Sequence, residues 1–177
     1  MEKIIQIKLN GAKQIIQSKL QESLEGKACW LSAYDQVADW FEDNKQKGLL
    51  LMGGQGVGKS FLCREVIVPI IKSREYGIWK NVISVTPFDI GKKLENITNT
   101  KCPVYFDDFG IETPYTVYGN TVDPLVQLTF YAEPCGQLLI LTTNMTDNAI
   151  IERYGHRVFD RLNYLCRRIE FKAMSFR

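Results

Sequence analysis

A glycine-rich segment with one lysine and one serine carries the strongest chemical signal in this sequence. Residues 53–60 have the spacing G-x-x-x-x-G-K-S, between the apolar run 49–52 and a helix-like segment, 61–67. Glycines let the backbone wrap closely around an anion, so that N–H groups and the following helix N-terminus point at it. Lys59 then reaches the β- and γ-phosphates, and the Ser60 hydroxyl binds Mg²⁺. The predicted nucleotide-binding residues are Gly53, Gly54, Gln55, Gly56, Val57, Gly58, Lys59, Ser60 and Phe61.

Two adjacent acids follow a second apolar strand. The run 104–106 is β-prone and is followed directly by Asp107 and Asp108. In nucleotide hydrolases a carboxylate at the end of a strand holds Mg²⁺ together with the phosphate-loop serine, and we assign this role to Asp107. Asp108 is then placed to act as the general base that polarises the attacking water. The alternative is a pair of turn-forming aspartates, which the presence of the phosphate loop disfavours.

A polar amide follows the apolar run 138–141. Asn144, with Thr143 behind it, is the candidate for orienting the lytic water and sensing the γ-phosphate. The alternative is a plain turn in which Asn144 or Thr146 caps the next helix. Because the carboxyl ends of parallel strands meet at one edge of the sheet, we expect this amide to face the phosphate loop.

Two arginines near the C-terminus have helical spacing. Arg157 and Arg161 are four residues apart and share one helix face, while Val158 and Leu162 share another. A guanidinium supplied in trans can stabilise the charge of a phosphoryl-transfer transition state. The spacing alone favours the alternative of a salt-bridged surface helix in which Asp160 pairs locally.

Charge is distributed unevenly along the chain. Between Lys101 and Glu152 one cation stands among seven acids, whereas from Arg153 onward seven cations stand against two acids. This asymmetry suggests that the basic C-terminal face of one subunit docks on the acidic nucleotide face of the next. The alternative is a mixed solvated surface, and the net charge of +2 is too small to indicate nucleic-acid binding by itself.

Composition is that of a globular protein with one domain's length. The chain has 177 residues, of which 45% are hydrophobic. Its five cysteines contain no C-x-x-C pair, and the single His156 does not complete a zinc site, so they are interpreted as small core residues in a reducing compartment. No stretch is long and apolar enough to cross a bilayer, and no signal peptide is present. We therefore expect a cytoplasmic protein without membrane contact.

Strands and helices alternate along the sequence. The N-terminal segment 1–30 is predicted to be helical, because residues 1–26 have an amphipathic helical spacing, although residues 4–9 are ambiguous between strand and helix. A second helix is predicted from Ser32 as N-cap, and Thr86-Pro87 is predicted to open a helix through Leu94. Asp123-Pro124 opens another helix, and Gly155 separates the last two. Near-continuous apolar strands between helices predict a parallel sheet covered on both faces.

Together these motifs resemble the AAA+ ATPases, and more narrowly the DnaC/DnaI/IstB group of helicase loaders and transposition helper ATPases. The similarity covers about residues 34–177. Beyond the phosphate loop it rests on Phe106-Asp107-Asp108-Phe109-Gly110, on Thr142-Thr143-Asn144, on Tyr154-Gly155-His156-Arg157-Val158-Phe159-Asp160-Arg161-Leu162, and on the terminal Ile169-Glu170-Phe171 with its Ser175-Phe176-Arg177 tail.

The resemblance implies an ASCE-type α/β core over 31–177, with a central five-stranded parallel sheet and no full C-terminal lid. It implies Mg·ATP hydrolysis, assembly into a homo-oligomer, an arginine finger best matched by Arg161, contact with single-stranded DNA and action on a replicative helicase. A transposition helper ATPase whose partner is a transposase is the nearest rival. A small-molecule kinase with the same phosphate loop and a nucleotide-gated binding module remain open.

Overall fold

A five-stranded parallel β-sheet forms the centre of the molecule in the computed structural model, which describes residues 2–25, 29–117 and 120–172. The strands lie in the order β2-β3-β6-β1-β7. Their bounds are β1 Gly48–Gly53, β2 Ile83–Val85, β3 Val104–Phe109, β6 Leu139–Thr143 and β7 Cys166–Phe171. The prediction of a five-stranded parallel sheet is confirmed.

Helices cover the sheet. They are α1 Ala12–Ser23, α2 Ser32–Glu42, α3 Lys59–Leu62, α4 Val68–Lys72, α5 Ile90–Thr98, α6 Pro124–Cys135, α7 Asp147–Tyr154 and α8 His156–Leu165. A π-helical turn, Cys63–Ile67, joins α3 to α4 directly behind the glycine-rich loop. The apolar residues of β1 are buried, and the strand lies between β6 and β7, with which it pairs through Leu49↔Ile140 and Leu49↔Arg167.

Two predicted helix starts are wrong by a few residues. Leu31, in an extended conformation, is the N-cap of α2, so Ser32 is the first helical residue and does not cap the helix. Helix α5 begins at Ile90 instead of Thr86-Pro87. The Asp89 carboxylate accepts hydrogen bonds from the Thr86 N–H (2.6 Å) and hydroxyl (3.1 Å), which closes a local turn before the helix.

The N-terminal segment packs into the same core as the sheet. Residues 4–9, ambiguous from the sequence, form neither helix nor strand but bury Ile4, Ile7 and Leu9. The buried Asn44 side chain holds this segment, because its oxygen accepts from the Ile7 N–H at 2.9 Å and its amide donates to the Ile5 carbonyl at 2.9 Å. The domain division at residue 30 stays a prediction.

An unpredicted antiparallel hairpin, β4 Tyr115–Val117 and β5 Asn120–Val122, lies between β3 and α6. The predicted boundaries of the last three helices are confirmed. Asp123 and Thr146 cap α6 and α7 through side-chain oxygens, and Gly155 separates α7 from α8. Of the five cysteines, Cys63 and Cys166 are buried, whereas Cys29 is exposed and is not a core residue. The predicted Ser175-Phe176-Arg177 tail lies outside the described residues.

Candidate functional site

The glycine-rich loop leaves β1 and enters α3 with a backbone that only glycine adopts easily. Gly53, Gly56 and Gly58 have φ of 148°, 81° and 90°. At Gly53 a Cβ would also lie 2.6 Å from the Phe171 carbonyl oxygen, so no larger residue fits there. Within the described residues, the N–H groups of Gln55, Gly56 and Gly58 donate to no main-chain oxygen. These N–H groups are therefore available to an anion held against the loop.

Lys59 is folded back over this loop. Its side-chain nitrogen donates to the Gly53 carbonyl at 2.9 Å, the Gly54 carbonyl at 2.7 Å and the Asn144 side-chain oxygen at 2.8 Å. The residue is only 5% exposed. Burial lowers the Lys59 pKa, while the neighbouring Asp108 and Asp107 carboxylates act in the opposite direction. A phosphate group in the loop would supply the negative charge that this buried ammonium lacks.

The two acids sit on an irregularity of β3. The register between β3 and β6 shifts between Phe106 and Phe109, and Asp108 has a left-handed φ of 54°. Adjacent residues of a regular strand point to opposite faces, but a bulge can aim both in one direction. Both carboxylates accordingly contact polar side chains at the end of β6. A strained backbone held at this point is typical of a functional site.

Thr142 links the two acids. Its hydroxyl donates to Asp107 Oδ1 at 2.8 Å and accepts from the Asp108 N–H at 2.7 Å. Thr143, expected to support the site, instead donates to the Phe109 carbonyl at 2.8 Å and is directed away from the acids. Residues two apart share a strand face, so the alternation that places Asn144 at the site could also have indicated Thr142.

Asn144 connects Lys59 to Asp108. Its amide nitrogen donates to Asp108 Oδ1 at 2.6 Å, and its oxygen accepts from Lys59. Thr146, and not Asn144, caps α7. Burial, followed by the Asp107 charge, raises the Asp108 pKa above the ordinary aspartate value. A raised pKa brings a carboxylate closer to the range in which it accepts a proton from water efficiently.

A cavity of about 500 Å³ opens in front of these residues. Its walls include Gln55, Gly56, Gly58, Lys59, Ser60, Phe61, Asp108 and Asn144 from the predicted set. Four lining residues were not predicted: Leu24 and Cys29 of the N-terminal segment, Tyr34 of α2 and Arg64 of the π-helical turn. The volume lies in the range of small-molecule and cofactor sites. We call the loop 53–60, Asp107, Asp108, Thr142 and Asn144 the nucleotide cradle.

The chemistry of the cradle fits a magnesium nucleotide. No group of three or more His, Cys, Asp or Glu side chains in the described ranges could hold a metal ion alone. Mg²⁺ commonly uses one or two protein ligands together with substrate phosphates and waters. Ser60 and Asp107 supply the hydroxyl and carboxylate oxygens that such binding needs, and their joint role stays a prediction.

Glu112, a buried acid that the sequence did not indicate, links the loop after Asp108 to the helix junction 154–156. The Glu112 carboxylate accepts from the Gly110 N–H at 2.7 Å and from the Tyr154 hydroxyl. Arg153 donates to the Glu112 carbonyl. Burial and this carboxylate together raise the Tyr154 pKa, so its hydroxyl stays a donor. The loop following Asp108 is thereby connected to the C-terminal end of α7, just before α8 begins.

Arg157 and Arg161 lie on one face of α8, as the spacing predicts, and both contact Phe130 of α6. The guanidinium carbons are 4.8 Å and 3.6 Å from the centre of the phenyl ring. The predicted local pairing with Asp160 is wrong, because Arg161 forms its ion pair with Glu133 of α6, Nε to Oε2 at 2.6 Å. Residue 133 is far away in sequence, so helix spacing could not indicate it.

Of the comparisons with known proteins, the one with solved structures finds similarity, and it concerns the fold. No family model matches the sequence, and no curated protein is significantly similar to it. Solved structures are similar: a DnaC helicase loader with TM-score 0.63 and 16% identity, over 84% of this chain and 96% of that one. DnaI has a TM-score of 0.62 and 20% identity, over 88% of this chain and 94% of that one. AMPPCP-bound DnaA from Aquifex aeolicus has a TM-score of 0.55 and 17% identity, over 84% of this chain and 49% of that one.

At these identities the similarity establishes the fold alone. The predicted α/β fold with a five-stranded parallel sheet is confirmed, and it resembles the folds of DnaC and DnaI, as the motifs predicted. Separately, no helix in the described parts of the chain has the length and apolar character needed to span a bilayer.

Proposed function

We propose that this chain binds Mg·ATP in the nucleotide cradle, hydrolyses it slowly alone and faster when assembled, and acts as a helicase-loader-like accessory of DNA replication. The observation that carries the proposal is the continuous hydrogen-bonded chain from the glycine-rich loop through Lys59 and Asn144 to Asp108. It joins a triphosphate-binding loop to an acid with a raised pKa, which is the combination that hydrolysis needs.

Each residue of the cradle has a separate task in this proposal. The free N–H groups of the loop and Lys59 bind the phosphates, while Ser60 and Asp107 hold the magnesium ion. When bound, Mg²⁺ neutralises charge on the phosphate oxygens. Asn144 orients a water molecule, and Asp108 accepts its proton. Thr142 keeps the Asp107 carboxylate and the Asp108 backbone in register.

Assembly is part of the proposal because Arg157 and Arg161 lie outside the cradle. Arg161 is engaged with α6 instead of the acids, and Arg157 forms no ion pair within the described residues. We propose that a second copy of the chain receives one of them at its γ-phosphate, which stabilises the transition state there. The acidic stretch 101–152 and the basic stretch 153–177 favour this head-to-tail arrangement.

Contact with single-stranded DNA is supported by exposed apolar side chains beyond the carboxyl end of the sheet. Phe88, in the turn before α5, is 84% exposed, and Ile111, just after β3, is 59% exposed. An exposed aromatic ring can stack on an unpaired base, and the exposed Lys92 could contact the phosphate backbone. The likeness to a DnaC helicase loader over 96% of that chain favours a helicase over a transposase as partner.

The test is ATP turnover measured against protein concentration, with and without single-stranded DNA. Turnover per protomer should rise with concentration and rise further with DNA, and Asp108→Asn measured in parallel supplies the background. Phosphate transfer to a nucleoside acceptor without release of free phosphate would identify a kinase instead. Binding without turnover at any concentration would leave only a nucleotide-gated module. A pull-down that recovers a transposase, and no helicase, would identify the transposition helper.

A further inference from the structure

The guanidinium of Arg161 is held on two sides by helix α6. Glu133 binds its Nε at 2.6 Å, and the Phe130 ring lies against its face, 3.6 Å from the guanidinium carbon to the ring centre. The Arg161 and Glu133 side chains are only 19% and 25% exposed. We call Glu133 and Phe130 the arginine seat. Within the described residues, the Arg161 side chain makes no other hydrogen bond than the one to Glu133.

We infer that the arginine seat positions Arg161 to present its two terminal amino groups to the phosphates bound by a neighbouring copy of this chain. The inference rests on the proposed function and names the positioning residues for it. A guanidinium has five N–H donors in a rigid plane. The seat uses only the Nε–H, so the edge formed by the terminal nitrogens remains available for bidentate contact with phosphate oxygens.

Orienting the Arg161 side chain before the reaction affects the rate of the reaction. A free arginine has many rotamers, and ordering it during the reaction would cost free energy that a preset side chain does not spend. The stacked ring fixes the plane of the guanidinium, and the carboxylate fixes its rotation within that plane. Both features act on orientation, which matters for a group that must meet a phosphate at one defined geometry.

The seat also distinguishes between the two arginines that the sequence left open. Arg157 is exposed, lies 4.8 Å from the same ring, and forms no ion pair within the part of the chain that the structure describes. Its side chain therefore lacks the carboxylate that fixes Arg161. The geometry points to Arg161 as the residue that contacts the neighbouring phosphates, with Arg157 adding positive charge to the same surface.

The competing explanation is that the ion pair only ties α6 to α8. Both helices already bury apolar side chains, Leu128 and Ala132 on α6 and Val158 and Leu162 on α8, so the tie has an alternative source of stability. A purely structural pair would change the unfolding temperature and leave the turnover of assembled protein unchanged. A positioning pair would lower turnover at saturating protein and ATP while leaving ATP affinity unchanged.

The experiment compares Glu133→Ala, Glu133→Gln and Arg161→Ala with the control Asp160→Ala, which removes an equal charge beside Arg161 without touching the seat. Glu133→Ala should lower the maximal assembly-stimulated turnover about tenfold with unchanged ATP affinity. Glu133→Gln should recover most of it, because the amide oxygen accepts the same bond from Nε. Asp160→Ala should behave like the wild type, and Glu133→Ala should have no added effect in an Arg161→Ala background.

The outcomes separate this inference from the proposed function. If Arg161→Ala loses stimulated turnover but Glu133→Ala keeps it, with or without a lower unfolding temperature, the seat is only structural and the inference is wrong. Undiminished stimulation in both Arg161→Ala and Arg157→Ala would contradict the trans arginine of the proposed function, whereas stimulation lost in Arg157→Ala but kept in Arg161→Ala would overturn this inference. If Glu133→Ala does not fold, Phe130→Leu decides: full turnover in this apolar but ringless variant overturns the inference, and a several-fold loss supports it.

Discussion

The nucleotide cradle and the face of α8 that carries Arg157 and Arg161, called the arginine face, both contain several charged side chains. The partners of these side chains differ between the two regions. In the cradle, Lys59, Asn144 and Asp108 form one connected network inside a single chain. On the arginine face, Arg161 is bound to one carboxylate through a single nitrogen, and Arg157 only touches an aromatic ring. One region is complete within the protomer, whereas the other holds cations ready for an anion from elsewhere. Under the proposed function, this difference separates nucleotide binding, which one chain would perform, from efficient hydrolysis, which would need two.

The two regions also differ in backbone strain. Asp108 has a left-handed backbone that non-glycine residues rarely adopt, and the bulge beside it interrupts the pairing of β3 with β6. The arginine-bearing α8 is a regular helix that begins after Gly155. The cradle therefore uses backbone geometry to aim its groups, while the arginine face uses packing between two helices. Variants in the two regions should separate binding from stimulated turnover.

The largest effect is expected from Lys59→Ala. The buried Lys59 ammonium donates to the Gly53 and Gly54 carbonyls of the glycine-rich loop, so its removal should abolish measurable ATP binding and with it all turnover. Calorimetric titration with Mg·ATP checks this. Lys8→Ala, an exposed lysine outside the cavity, serves as control and should bind normally. Wild-type affinity in Lys59→Ala would contradict the assignment of the cradle.

Arg161→Ala should leave ATP affinity unchanged and lower assembly-stimulated turnover about 1000-fold, the scale of a trans arginine. Turnover per protomer would then no longer depend on protein concentration. Arg157→Ala is the matched control and should reduce stimulation by a smaller factor, because Arg157 lacks the Glu133 contact. Equal losses in both variants would remove the distinction between the two arginines.

A smaller effect, about 100-fold on turnover, is expected from Asp108→Asn, because the amide cannot accept a proton. Asparagine tolerates the left-handed backbone and still accepts the bond from Asn144, so nucleotide binding should persist. In the wild type, kcat/KM should fall on acidification at a higher pH than for an ordinary aspartate, since the Asp108 pKa is raised. An acid limb at the ordinary aspartate pKa would argue against Asp108 as the base.

The same pKa direction predicts a change in stability. A carboxyl with a raised pKa in the folded state disfavours folding once it ionises, so stability declines as pH rises from the ordinary aspartate pKa through the raised one. Asp108→Asn removes this cost and should unfold at a higher temperature than the wild type at neutral pH. Below the ordinary pKa the two proteins should unfold alike. Thermal unfolding at both pH values measures the difference.

The sequence by itself determined the glycine-rich loop, the two adjacent acids of β3, the amide after β6 and the shared face of the two arginines. Each of these depends on spacing within one element, which fixes backbone conformation and side-chain direction locally. The parallel sheet also followed from local pattern, because alternating helices and apolar strands leave few other ways to bury them.

Only the tertiary structure decided which distant groups meet. Thr142 contacts both acids because the register between β3 and β6 places it there, and the bulge at Asp108 turns both carboxylates to one side. Glu133 reaches Arg161 because α6 packs on α8. Pairings between elements depend on register and packing angle across the whole core, and no local spacing in the chain encodes those quantities.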